Sequence, residues 1–252
     1  MRKTILLSSL FLTWLAPSAK AQVNSKFHFK VEPLSPLKLR YGVRVGAQVT
    51  SMTTGAPTRF GLESKNNFWN GQGGLVVDAA FGWLSVQPAV IFSQKGYRVK
   101  KHEYQMYLVD GNRFTRLRLN YLEVPVNLIV TVKGVQLFAG PYLGVALSGE
   151  YWDKFSGMVR VSESNSTFVQ SDYSRKEKAQ IGKSRNPNYN SAFSRFDTGY
   201  NVGIGYKLGP WQAQLSHMHG VVNTYPNSYT AAGLQAKNRG FQLNATYFFG
   251  QP

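Results

Sequence analysis

Residues 241–249 alternate one by one. Phe241, Leu243, Ala245, Tyr247 and Phe249 are apolar, and Gln242, Asn244 and Thr246 between them are polar. A segment with this period is a β-strand with one apolar and one polar face. The pattern recurs along the chain. Near residues 39–50, Leu39, Tyr41, Val43, Val45, Ala47 and Val49 share one face, and Arg40, Arg44, Gln48 and Thr50 share the other. The second strand, near 71–82, sets Leu75, Val77, Ala79 and Phe81 against an inward Asp78. In the third, Leu84, Val86, Pro88, Val90 and Phe92 alternate with Ser85, Gln87, Ala89 and Ser93. Pro88 removes a ladder donor, so a bulge is expected there.

The fourth strand, near 113–132, changes phase. Leu117, Leu119 and Tyr121 are the apolar set at first, and Val124, Val126, Leu128, Val130 and Val132 follow out of step. A β-bulge near Leu122–Glu123 accounts for the shift and keeps both apolar sets outward. Further strands are expected near 135–149, 197–208, 211–221 and 238–249, giving eight. The connections near Gly82, Lys133-Gly134 and Gly209-Pro210 are tight, whereas 51–70, 95–112, 150–196 and 222–237 are long and polar. An even number of alternating strands with short turns at one end and long loops at the other predicts an all-β fold, an eight-stranded antiparallel transmembrane β-barrel with short periplasmic turns and long extracellular loops. Closure pairs every backbone group, which is what lets strands cross lipid.

The N-terminus supports export. Arg2 and Lys3 precede an apolar run from Ile5 to Leu15, and Ala19-Lys20-Ala21 forms an A-x-A cleavage site. Residues 1–21 are therefore expected to be a signal peptide, 22–38 a periplasmic segment and 39–252 the barrel domain. The apolar run is shorter than the ~20 residues of a spanning helix. The absence of cysteine excludes lipoprotein attachment, disulfides and thiolate metal sites. The formal net charge is +17, and loss of Arg2, Lys3 and Lys20 with the leader lowers it to +14. That excess suits anionic partners. For an exported protein these are lipid phosphates and lipopolysaccharide rather than nucleic acid.

Lumen-facing positions carry Arg40, Arg44, Asp78, Arg116, Arg118, Glu123, Asp197 and Lys207. An eight-stranded barrel is just wide enough for side chains to fill it, and buried charges must pair. These residues are expected to form an ion-pair plug in which Glu123 bridges arginines, in preference to a basic pore. Lys95, Arg98, Lys100 and Lys101 cluster where the third strand leaves the membrane, and contact with lipopolysaccharide phosphates is expected there. Ser216, His217 and His219 suggest a lipid A acyl hydrolase, but adjacent residues on a strand point to opposite faces. No catalytic residue, metal or cofactor is assigned. A monomer with a structural or surface-interaction role is expected; a lipid A enzyme and a secretion accessory are the alternatives. A soluble lipocalin-like carrier is the competing fold, and it requires apolar side chains inside.

The segments NYLEVPVN (residues 120–127), FAGPYLGVALSG (138–149) and DTGYNVGIGYKLG (197–209), with the closing aromatics Tyr247-Phe248-Phe249, resemble the PorT-like outer-membrane β-barrel domain family of Gram-negative envelopes. The resemblance spans nearly all of the mature chain and implies an outer-membrane barrel; one branch of that family assists a protein secretion system. The chain departs from a common terminal pattern by carrying Gly250-Gln251-Pro252 after its last aromatic residue.

Overall fold

The computed structural model describes residues 35–54, 68–105, 109–160, 167–182, 192–224 and 236–250. The expected signal peptide and residues 22–34 lie outside them. Eleven strands are present: β1 (Lys38–Thr54), β2 (Phe68–Phe81), β3 (Leu84–Gln105), β4 (Val109–Val132), β5 (Val135–Arg160), β6 (Phe168–Lys178), β7 (Gln180–Ile181), β8 (Ala192–Phe193), β9 (Phe196–Leu208), β10 (Trp211–Gly220) and β11 (Ala236–Phe249). β1, β2, β3, β4, β5, β9, β10 and β11 pair in that order, and β11 pairs back to β1. The result is a closed, eight-stranded antiparallel barrel.

Alternation decides which side is which. Along β11, Gln242, Asn244, Thr246 and Phe248 are buried, while Phe241, Leu243 and Phe249 are exposed. Leu137, Ile204 and Leu215 on neighbouring strands are exposed as well. An apolar exterior around a polar interior belongs in lipid, the reverse of a soluble carrier barrel. The periplasmic turns are tight because their residues reach φ > 0. Lys133 (φ 49°) and Gly134 (φ 87°) close β4 onto β5 in a two-residue turn, whose twist matches that of the flanking strands.

Three strands, β3, β4 and β5, run far past the membrane. A crossing takes about 9–11 residues, yet β4 has 24 and β5 has 26. β3 and β4 remain paired out to Gln105 and Val109, and β5 pairs along its outer half with β6. Two expected loops, 95–112 and the first part of 150–196, are therefore largely strand. They form a four-stranded extracellular sheet in the order β3-β4-β5-β6. Ladder pairing of β2 with β3 stops at Gln72–Ser93. Beyond it, side chains of β1 take over the exposed backbone of β3. Gln48 Nε2 donates to the Gln94 carbonyl at 2.8 Å, and the Thr50 hydroxyl accepts from Gly96 N–H at 3.1 Å.

Two expected irregularities are corrected. Pro88 interrupts the β2–β3 ladder, but the register is the same on both sides of it, so it marks no bulge. In β4 the inward positions run unbroken through Leu117, Leu119, Tyr121, Glu123, Pro125, Asn127 and Ile129. The register shift lies between Asn120 and Tyr121 against β5, where Leu147 is the extra residue. β4 does not change phase; its surroundings do. Its lower half faces lipid outward, so its apolar residues point out. Its upper half stands in water, where apolar residues gain only by turning inward. Leu117, Leu119 and Tyr121 accordingly join Met52, Tyr97, Val99 and Phe193 in an apolar cluster over the lumen.

Candidate functional site

The lumen is layered. At the periplasmic end Arg40 pairs with Asp78, and Lys207 Nζ lies 3.3 Å from the same carboxylate. Arg40 also lies over the Phe248 ring, 5.0 Å from its centroid. One level up, Arg44 is held by neutral partners. Its Nε donates to Thr246 Oγ1 at 2.9 Å and its Nη2 to Gln87 Oε1 at 2.6 Å. Amides continue the network: Gln87 donates to Gln212, Gln212 to Gln136, and Gln242 to Gln48. The mid-lumen void beside Asn127, Asn201 and Gln214 is only about 20 Å³, which suits a single water.

Above this layer lies the densest charge cluster. Lys95 Nζ is 2.8 Å from Glu123 Oε1 and 2.9 Å from Asp197 Oδ2, with the Tyr142 ring centroid 4.2 Å away. Asn238 Nδ2 donates to Asp197 at 3.0 Å. Lys95 is fully buried, which removes it from the expected lipopolysaccharide contact. It is also the cation that Glu123 bridges, in place of the expected arginines. Arg116 and Arg118 leave the lumen network for the same reason that Leu117 and Leu119 enter it: with β4 in one phase, the arginines stand on the outer face of the extracellular sheet.

That outer face gathers cations. Arg98 is directly opposite Arg116, and Gly96 is opposite Arg118. Lys100 is opposite Phe114. On β5, Trp152 lies beside Arg116 and Glu150 beside Arg118, and β6 adds Lys176 and Lys178 in the same rows. Arg116 and Arg118 lie 4.5 and 5.5 Å from the Phe68 ring centroid. Among the described residues no carboxylate lies within 4.0 Å of Arg98, Arg116 or Arg118, and Glu150 is engaged by Lys176 at 3.0 Å. Burial, with help from Arg118 and Arg98, holds the Arg116 guanidinium below its usual pKa, while Glu150 opposes the shift. Like charges in facing positions repel, so an incoming anion relieves this cluster. Of the four expected lipopolysaccharide contacts, Arg98 and Lys100 are on this face. Lys101 is in β3, with its side chain outside the described residues.

A family model for the outer membrane protein beta-barrel domain matches residues 20–225. The chain belongs to that family. It is an outer-membrane barrel of a Gram-negative bacterium. No curated protein matches the chain. Among solved structures, it is similar to Ail, the attachment invasion locus protein of Yersinia pestis, in complex with the heparin analogue sucrose octasulfate. That match has 12% identity and a TM-score of 0.38, and covers 84% of this chain and 99% of the other. It is also similar to Neisserial surface protein A, with 10% identity and a TM-score of 0.37, covering 83% and 97%. At these identities the likeness is one of fold alone.

In this outer-membrane barrel Ser216 and the histidines are apart. Ser216 is buried in the lumen and donates to Gln242 Oε1 at 3.3 Å. His217 and His219 are on the outer face, where His217 packs edge-on against Phe241 and His219 lies tilted against Tyr200. The hydroxyl and the imidazoles are on opposite sides of the barrel wall.

Proposed function

We propose that this outer-membrane barrel is a surface-interaction protein without catalytic role, and that its extracellular sheet contacts lipopolysaccharide phosphates. The observation that carries the reading is the arginine cluster of Arg98, Arg116 and Arg118, which lacks a carboxylate partner among the described residues. Guanidinium forks match phosphate oxygens and make charge-assisted hydrogen bonds to them. The filled lumen supports the same reading: Arg40 and Lys207 meet Asp78, Lys95 meets Glu123 and Asp197, and Arg44 is held by neutral groups, so the barrel acts as a rigid stem for what it displays. The separation of Ser216 from His217 argues against a lipid A hydrolase.

Within the family, we place the chain in the PorT-like branch on the segment around Tyr121-Leu122-Glu123-Val124-Pro125. Its alternation has a physical role here. Tyr121, Glu123 and Pro125 fill the lumen, and Leu122 and Val124 face lipid. A secretion role carries no support from a specific residue, and the barrel is read as a monomer.

The test is binding of the full chain, in lipid nanodiscs, to vesicles containing bisphosphorylated or dephosphorylated lipid A. Phosphate-dependent, salt-sensitive binding is expected. Changing Arg98, Arg116 and Arg118 together to Gln should weaken it roughly ten-fold, at about 0.5 kcal/mol per exposed contact. Equal binding by the variant, or to dephosphorylated lipid A, would exclude phosphate contact by this cluster.

A further inference from the structure

Farther out on the same sheet, two rows of side chains enclose a groove that crosses the strands. The cavity is about 700 Å³, within the usual range for ligand sites. One rim is the row of Lys100, Phe114, Lys154 and Ser174, which are paired opposite one another across β3, β4, β5 and β6. The other is the row of Asn112, Ser156 and Asp172. Between them runs the row of Arg113, Phe155 and Tyr173, whose side chains point to the opposite face; there Phe155 stacks on Tyr173 at 5.9 Å. The floor is therefore largely backbone. A path across four strands spaced about 4.8 Å apart is roughly 14 Å long, enough for a short stretch of extended chain.

The rims differ in chemistry. One has two ammonium groups and an aromatic ring, with Lys154 Nζ 4.7 Å from the Trp152 ring centroid. The other has an amide, a hydroxyl and a carboxylate. Hydrogen bonds from Ser156 and Gln170 hold the Asp172 carboxyl below the usual carboxylate range, so it remains an acceptor. Sugar hydroxyls both donate and accept, and need both kinds of partner. The apolar face of a sugar ring packs on an aromatic side chain. A row of phosphates, as in a nucleic acid, would meet Asp172 unfavourably. Among the described residues the lysines are on one rim, facing hydroxyl-binding groups on the other, which calls for an anionic substituent on one side of a polyhydroxylated chain.

We propose that this groove binds an acidic polysaccharide, a sugar chain bearing carboxylate or sulfate groups, from the medium outside the cell. The inference rests on the extracellular placement of the sheet but not on the arginine cluster below it.

The full chain in nanodiscs free of lipopolysaccharide is titrated with hyaluronate, dextran sulfate, neutral dextran and polyglutamate. Both acidic polysaccharides should bind, with neutral dextran and polyglutamate at least about ten-fold weaker, a difference of about 1.4 kcal/mol. Ser156→Trp and, separately, Ser174→Trp fill the groove from exposed positions; each should cut hyaluronate binding by a similar factor of about ten. Changing Arg98, Arg116 and Arg118 to Gln should leave hyaluronate binding within about two-fold while it weakens lipid A binding roughly ten-fold, which separates the two readings. Polyglutamate binding as tightly as hyaluronate, or tryptophan variants that bind like the parent, would overturn the groove and leave a merely cationic surface.

Discussion

The Lys95 ammonium and the Glu123 carboxylate meet at 2.8 Å inside the barrel, and Asp197 completes the cluster at 2.9 Å from the same nitrogen. One buried cation thus serves two carboxylates from different strands, tying β3 to β4 and to β9. The asymmetry makes a ranking. Loss of Glu123 leaves Lys95 with Asp197; loss of Lys95 leaves two buried carboxylates without a cation. Breaking a buried pair costs roughly 3–5 kcal/mol. Lys95→Met should reach or exceed that range and Glu123→Gln should fall below it, measured as urea unfolding midpoints in lipid vesicles. Equal losses, or a larger one for Glu123→Gln, would show that the cluster does not centre on Lys95.

The phase of β4 can be read from two neighbouring leucines. Leu119 is 0% exposed beneath the apolar cap, whereas Leu122 is 41% exposed on the lipid face. Leu119→Ala should cost about 2–5 kcal/mol, as core truncations do. Leu122→Arg should cost about 2–4 kcal/mol, because it places a charge in hydrocarbon. Arg118→Leu tests the same assignment against a bulge: little loss is expected with Arg118 on the outer face, whereas a severe loss would put Arg118 in the lumen and Leu119 outside.

The strands were legible because lipid on one side and a polar lumen on the other print a period of two on the sequence. Where that contrast ends, so does the signal. Beyond Ser93 and Tyr121 both faces of the sheet meet water or the apolar cap, so 95–105, 109–112, 150–160 and 168–178 read as polar loops although they pair as strands. Lys95 was within reach, since it continues the inward series Ser85, Gln87, Ala89 and Ser93 by one more step. Arg116 and Arg118 are misplaced by any reading in which every apolar residue faces lipid. The ladder length of β4, about twice a membrane crossing, is the signal that would have corrected it. The groove rims depend on the alignment of four strands, and a single-strand pattern carries no trace of them.

Glycine in the 138–149 segment has a steric reason at one position. A Cβ at Gly140 would stand 2.0 Å from the Val126 carbonyl oxygen on the adjoining strand, whereas at Gly71 nothing lies within 4 Å. Gly140→Ala should therefore lower the unfolding midpoint by forcing β4 and β5 apart. Gly71→Ala should leave stability unchanged or raise it by up to about 1 kcal/mol, through the more restricted unfolded chain. A neutral Gly140→Ala would mean that the two strands are farther apart than described.

The account stands on the β3-β4-β5-β6 sheet lying outside the cell and the tight turns inside. The chain has no cysteine, so single cysteines report position without background. With Ser156→Cys on the sheet and Lys133→Cys in the turn between β4 and β5, intact cells are treated with a membrane-impermeant maleimide. Ser156→Cys should label on intact cells, and Lys133→Cys only after the outer membrane is opened. Labelling of Lys133→Cys on intact cells, with Ser156→Cys protected until rupture, would contradict the account.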